Sequence, residues 1–298
     1  MNILVIGKNG QISRCLSEAL AHHSLYITSR DDLDLCNEAS IIRTIRLVKP
    51  AVIINAAAYT NVEQSEADDS IAIQVNGHSL STIGKEARNL DALVLHYSTD
   101  YVFDGTHSEP YKERDVINPI NKYGASKALG EYLLNQATPK HLILRTSWVF
   151  GSNGTNFVKT ILQLADKKSA LEIVSDQVGS PTSAEEIALK TKQIIDIYEN
   201  EPENMIYGTF HLTPKHYISW YGFALEIIEK RRAYNSPGHN SFVEIVPIPS
   251  SMYKTAAKRP LNSRLDSSKI KQCYGLEIPH WQPRLSDVVN SILRTPDA

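Results

Sequence analysis

The chain is short of the features that mark several protein classes. It has only 3 cysteines in 298 residues, Cys15, Cys36 and Cys273, odd in number and far apart. They form neither a disulfide framework nor a metal-ligand spacing, and read as thiols in a reducing compartment. No apolar run approaches the ~20 residues that a membrane span needs. Lys plus Arg (31) and Asp plus Glu (33) nearly cancel, and the net charge of −2 shows no sign of a nucleic-acid surface. The N-terminus lacks a basic leader: its apolar residues start at Ile3 and run into a glycine turn, as in a first strand and not a secretory signal. The expectation is a cytoplasmic protein without a metal, a nucleic-acid partner or a membrane partner. A hydrophobic content of 42% and a charged content of 21% suit a globular chain. The length accommodates one large α/β domain, or a nucleotide domain plus a smaller one.

What is present is an alternation of apolar strands with helical stretches. Asn2 to Ile6 reads as a buried strand, followed by Gly7-Lys8-Asn9-Gly10-Gln11-Ile12-Ser13 and a helix through Leu16 and Leu20. Strand, glycine turn and helix together aim backbone N–H groups and a helix N-terminus at a pyrophosphate. The spacing is G-x-x-G-x-x-S, so Ser13 stands where a third glycine is usual. The second strand, Leu25 to Thr28, ends in Ser29-Arg30. Enzymes that prefer NAD put an acid near this point to bind the ribose hydroxyls. A hydroxyl and a guanidinium favour a 2′-phosphate instead, hence NADPH, with NADH as the alternative. Asp31 and Asp32 follow at once, so a solvated arginine at a strand end is the competing reading; Asp34 and Leu35 are placed to flank an adenine.

A helix over about 39–48 and a strand over 51–54 lead into Asn55-Ala56-Ala57-Ala58-Tyr59-Thr60, whose small residues let a flat cofactor pass close to the backbone. One long helical region is expected from about Glu66 to Asn89. The strand at 92–96 runs into Tyr97-Ser98-Thr99-Asp100, where hydroxyls at a strand's carboxyl end meet a ligand or cap the backbone. Tyr123 and Lys127 then fall four apart on a helix and share a face. An ammonium near a phenol favours the phenolate, so the pair is expected to exchange a proton near neutral pH. The pattern also occurs on exposed helices as a solvated pair. Trp220 and Phe223 read as core. Lys254, Lys258, Arg259 and Arg264 form a basic run around Pro260, by default a solvated loop.

Taken together, these residues resemble the extended short-chain dehydrogenase/reductases, and within them the dTDP-4-dehydrorhamnose reductase family. The resemblance is carried by Gly7 to Gln11, Asn55 to Thr60, His96 to Phe103, Tyr123 to Lys127, Arg145 to Phe150, Asn156-Phe157, Asp176 to Thr182 and Arg259 to Leu265. It implies a Rossmann-type doubly wound parallel sheet with a smaller, interleaved α/β substrate domain. The NADP-binding part is expected at 1–150 plus about 182–213, and the substrate part at about 151–181 and 214–298. The implied catalytic set is Thr99, Tyr123 and Lys127. Tyr123 would protonate the sugar C4 oxygen, Lys127 would hold the nicotinamide ribose and lower the Tyr123 pKa, and Thr99 would hydrogen-bond the C4 oxygen. Asp100, Trp148 and Arg259 are implied at the substrate, and Asn76 and Ser98 join the glycine-turn and strand-end residues at the cofactor.

The implied reaction is NADPH-dependent reduction of dTDP-4-dehydro-L-rhamnose to dTDP-L-rhamnose, a precursor of cell-surface polysaccharide. Its rivals are a 4-ketoreductase of another dTDP-4-keto-6-deoxy sugar and a non-catalytic binding subunit like the regulatory subunit of methionine adenosyltransferase. One departure bears on assembly. Cys15 stands where many members carry a glutamate associated with a Mg²⁺-bridged dimer, and a thiol is a poor Mg²⁺ ligand. No metal-bridged homodimer is expected.

Overall fold

The computed structural model describes residues 1–234 and 243–294. In chain order the strands are β1 (Asn2–Ile6), β2 (Ser24–Thr28), β3 (Val52–Asn55), β4 (Leu93–Thr99), β5 (His141–Thr146), β6 (Val149–Phe150), β7 (Ala170–Val174), β8 (Val178–Gly179), β9 (Thr182–Ser183), β10 (Gly208–His211), β11 (Ile218–Ser219) and β12 (Glu244–Ile248). The helices are α1 (Gln11–Ala19), α2 (Glu38–Val48), α3 (Val62–Ala67), α4 (Ser70–Ala72), α5 (Ser79–Asn89), α6 (Lys122–Ala137), α7 (Phe157–Ala165), α8 (Ala184–Asn200), α9 (Trp220–Tyr234), α10 (Ser268–Tyr274) and α11 (Trp281–Arg294).

Six strands form a parallel sheet in the order β10-β5-β4-β3-β1-β2. Both faces are covered, which is why these strands read as continuous apolar runs. Alternate side chains divide between two cores. Ile3 and Val5 pack with Leu16 of α1 and Ile187 and Ile194 of α8. Leu4 and Ile6 pack with Ile41 of α2, Ile83 of α5 and Leu134 of α6. The expected Rossmann-type, doubly wound sheet is therefore observed. Its strand order reverses between β1 and β3, where such sheets open a crevice at their carboxyl ends.

A third core joins Phe150, α7, α9 and α11, with β12 paired parallel to β7. Arg284 of α11 reaches back to Glu186 of α8 at 2.7 Å and ties this core to the sheet. Ile270, Leu276 and Ile278 fall within the expected 214–298 segment, yet they pack in the first core beside α8. The parts of that segment at 235–242 and 295–298 lie outside the described residues.

The helical region expected over 66–89 is interrupted. α3 ends at Ala67, and a π-helical turn occupies Ile73–His78 before α5 begins. Such turns mark sites where a helix widens to serve a local contact. Here Asn76 turns its amide inward, donating to the Tyr59 carbonyl at 2.9 Å and to Ser126 Oγ at 3.0 Å. Gly130 of α6 makes this approach feasible, because a Cβ there would strike the Asn76 carbonyl. Asn121 caps α6, its side-chain oxygen accepting from the Gly124 N–H at 2.7 Å.

Candidate active site

A cavity of about 810 Å³ opens beyond the carboxyl ends of β1, β3, β4 and β5. One end is the glycine turn. Gly7 has φ +109°, and a Cβ on it would lie 2.9 Å from the Ala57 nitrogen. Only glycine lets the β1 and β3 chain ends approach this closely. The turn is closed by Gly10 N–H donating to the Gly7 carbonyl at 3.0 Å, and the first turn of α1 carries no acid to repel an anion. Ser13, in the place of the third glycine, is buried in the first turn of α1. Asn9, Gln11 and Ile12 complete this end of the wall. Gln11 also accepts from Asn156 Nδ2 at 2.8 Å, which holds the 151–156 segment across the glycine turn.

Beside the turn, Ser29, Arg30, Asp34 and Leu35 line the cavity. Arg30 is largely exposed and lies 3.6 Å from Asp34. Ser29 donates both its N–H and its hydroxyl to Asp32, at 2.9 and 2.7 Å. Its hydroxyl hydrogen is committed to Asp32, which leaves Arg30 and Lys8 as cations on the wall at this end. Ala56, Ala57, Ala58 and Tyr59 form the floor.

The other end gathers Ser98, Thr99, Asp100, Tyr123, Lys127 and Trp148. β4 places Thr99 directly opposite Thr146 of β5. Helix α6 places Tyr123 and Lys127 one turn apart on the cavity side. The phenol of Tyr123 is pushed up to about 12, by burial first and then by Asp100, while a hydrogen bond with Thr99 pulls the other way. Asp100 is buried and its carboxyl is raised to about 6 by that burial, with Ser263 and Thr99 opposing. Thr99 Oγ1 donates to Asp100 Oδ1 at 3.1 Å and accepts from the Tyr101 N–H at 3.2 Å. Burial lowers Lys127 to about 8, against the pull of Glu131. Burial, Asp100 and Thr99 set the Tyr123 phenol, and not Lys127 as expected, whose nitrogen is engaged with Tyr97 and His96.

Below the site a buried polar cluster locks α6 to the sheet. Arg145 of β5 donates to Glu131 at 2.6 and 2.9 Å, and Ser98 donates to the same carboxylate at 2.5 Å. Arg145 also lies over the Phe103 ring, 5.1 Å from its centroid.

Two residues expected at the cavity are not on its wall. Asn76 is wholly buried and acts behind it, holding Tyr59 and Ser126. Arg259 pairs with Glu63 at 2.5 Å, and Glu63 also accepts from the Ala256 N–H. Conversely, Trp220 does line the cavity, stacked on Trp148 with ring centroids 3.5 Å apart. Its helical spacing fits the core, and its other side does pack there against Phe157. Trp148 sits at φ +48°, a left-handed conformation uncommon for a bulky residue and concentrated at functional sites. Thr146, inside the Arg145–Phe150 segment, and Gly154 and Thr155, which had no sequence signal, are further wall residues. Among the described residues, no helix is long and apolar enough to cross a membrane.

The parallel sheet, the glycine turn at its switch point and the Tyr-x-x-x-Lys helix define an oxidoreductase of the extended short-chain dehydrogenase/reductase class. Residues 1–294 match the family model described as RmlD substrate binding domain. The chain is 41% identical over 295 residues to the dTDP-4-dehydrorhamnose reductase of Aggregatibacter actinomycetemcomitans, covering 96% of this chain and 97% of that protein. It is 39% identical over 296 residues to that of Burkholderia thailandensis, covering 98% and 99%. Among solved structures it resembles a dTDP-4-dehydrorhamnose reductase from Clostridium acetobutylicum, with TM-score 0.90, 33% identity and coverage of 99% and 100%. The Bacillus anthracis reductase in complex with NADP gives TM-score 0.88 at 30% identity, covering 96% and 98%. The chain belongs to the RmlD family, that of the dTDP-4-dehydrorhamnose reductases.

Proposed function

We propose that the protein reduces the C4 ketone of dTDP-4-dehydro-L-rhamnose to dTDP-L-rhamnose, using NADPH, with NADH as a poorer substitute. The observation that carries this reading is a single cavity bounded by the glycine turn at one end and by Thr99, Tyr123 and Lys127 at the other. The turn fits a pyrophosphate: a cradle that a Cβ would fill, an unobstructed helix N-terminus, and Arg30 beside it for a 2′-phosphate. When bound, NADPH supplies a hydride to the ketone carbon.

Tyr123 keeps its proton at neutral pH, because burial and Asp100 disfavour the phenolate. It is the proton donor to the ketone oxygen as negative charge builds there. The Thr99 hydroxyl, which donates to Asp100 without substrate, would turn that hydrogen to the same oxygen to steady it. Lys127 faces the cavity from one turn along α6 and suits a ribose hydroxyl. The stacked Trp148 and Trp220 supply a flat apolar wall for the sugar or base. The unit built on the third core, reaching the cavity through Trp148 and Trp220, is the substrate-binding part.

The test is purified protein with NADPH and dTDP-4-dehydro-L-rhamnose, following loss of the reduced coenzyme's absorbance and identifying the product sugar. Rhamnose is expected. Absence of turnover would overturn the enzyme reading, and a talose-type product would overturn the stereochemical assignment alone. Tyr123→Phe is expected to lower turnover at least ~100-fold while NADPH still binds.

A further inference from the structure

Between β6 and α7 the chain crosses the glycine turn as Gly151-Ser152-Asn153-Gly154-Thr155-Asn156. Gly154 and Thr155 line the cavity along with Gly7 to Ile12, so the coenzyme end has the turn on one side and this segment on the other. The segment carries no charged side chain, and none of its groups repels a pyrophosphate. It is tied down at two points, both on α1. Asn156 Nδ2 donates to Gln11 Oε1 at 2.8 Å, and Arg14 Nη1 donates to Asn153 Oδ1 at 3.2 Å. Between these ties Gly154 has φ +69°, and a Cβ on it would lie 3.0 Å from Gln11 Cγ. Glycine suits both that backbone conformation and the close approach.

Asn156 is the more deeply placed tie, and both ends of its side-chain amide are used. One amide hydrogen goes to Gln11 and the other to the Gly151 carbonyl at 2.8 Å, while Oδ1 accepts the Lys159 N–H at 3.1 Å and caps α7. Turning the amide around would set its NH2 against the Lys159 N–H and its oxygen against the Gly151 carbonyl, so this network assigns its orientation. One side chain thus closes the segment on itself, pins it to the helix that starts at the glycine turn, and begins α7. We infer that 151–156 is a strap over the coenzyme pyrophosphate and that Asn156 is the positioning residue that holds it shut. A dinucleotide is bulkier at its two bases than at its pyrophosphate, so it does not thread end-on beneath a tied strap. The ties open for the coenzyme to enter and open again for it to leave. Loss of one such hydrogen bond shifts an open–closed equilibrium about 3- to 10-fold. Opening of the strap therefore governs the rates of coenzyme exchange in both directions more than it changes affinity.

The inference rests on the glycine turn being the coenzyme site of the proposed reductase, so the test reads coenzyme exchange and not sugar turnover. NADPH association and dissociation are followed by stopped-flow fluorescence for wild type, Asn156→Ser and Asn153→Ala. Serine caps a helix about as well as asparagine, so α7 is retained, but it has no amide to reach Gln11. Asn153→Ala removes only the tie to Arg14. Each variant is expected to raise both rate constants about 3- to 10-fold and to leave the dissociation constant within about twofold. A merely structural role would weaken binding through faster dissociation alone, with association unchanged. That pattern overturns the inference, and so do unchanged rates in Asn153→Ala even if Asn156→Ser fails to fold. Absence of NADPH binding by the wild type would overturn the reductase reading itself, whereas a wrong sugar assignment leaves this experiment intact.

Discussion

Replacing Glu131 by Gln removes one charge from a pair that no solvent reaches. The Glu131 and Arg145 side chains are 5% and 3% exposed, and the carboxylate receives Arg145 at 2.6, 2.9 and 3.2 Å as well as Ser98 at 2.5 Å. A glutamine still accepts one of these bonds but leaves the Arg145 guanidinium buried without a counter-charge. Breaking such a pair from one side costs about 3–5 kcal/mol. At roughly 2–4 °C per kcal/mol for a chain of this order, Tm should fall by about 10 °C. Because Glu131 lies one turn beyond Lys127 and bonds the neighbour of Thr99, turnover should fall as well. Thermal and urea unfolding followed by circular dichroism measure the loss. The double replacement Glu131→Leu with Arg145→Met removes both charges and should recover most of it, since apolar residues of similar volume replace buried pairs at little cost. A single-variant loss under ~1 kcal/mol, or no recovery in the double variant, would refute the reasoning.

Asp100→Asn is expected to stabilise the protein at pH 7.5. The folded carboxyl is raised to about 6 by burial, so the fold holds a proton that the unfolded chain releases near ~3.9. That contribution is fully present below about pH 4 and is lost as pH rises through 6. The variant's advantage should thus be on the order of 3 kcal/mol at pH 7.5 and vanish near pH 4, as pH-dependent Tm would show. Arg30→Ala should weaken NADPH binding about tenfold or more while sparing NADH, from the loss of a charge-assisted bond to the 2′-phosphate; an unchanged preference counts against Arg30. Burial, with Glu18 and Glu185, pushes the Cys15 thiol up to about 11, so it stays protonated and offers Mg²⁺ no ligand. Sedimentation with Mg²⁺ and with EDTA should give the same mass, and a Mg²⁺-dependent dimer would contradict this.

The alternation of β1 to β5 with helices was legible from the chain alone, because apolar periodicity and strand–glycine–helix order are local properties. So was the spacing of Tyr123 and Lys127, which four helical residues determine without help. Arg30 at the end of β2 and the hydroxyls after β4 followed from the rule that ligands gather at the carboxyl ends of a parallel sheet. The rest depended on pairs far apart in sequence. The π-helical turn exists because Asn76 meets Gly130, some fifty residues on, and no window of sequence contains both. Trp220 has a core-like spacing in its own helix, and only its stacking on Trp148 brings it to the cavity. Arg259 looked free as part of a basic run until the fold set Glu63 against it. Burial is likewise a tertiary property, and it set the Tyr123 and Lys127 proton affinities more than their mutual spacing did. Sequence determined which residues can carry this chemistry. Only the tertiary structure decided their surroundings, because strand register sets Asn55 against His96 and the packing of α6 on the sheet brings Lys127 to His96 and Tyr97.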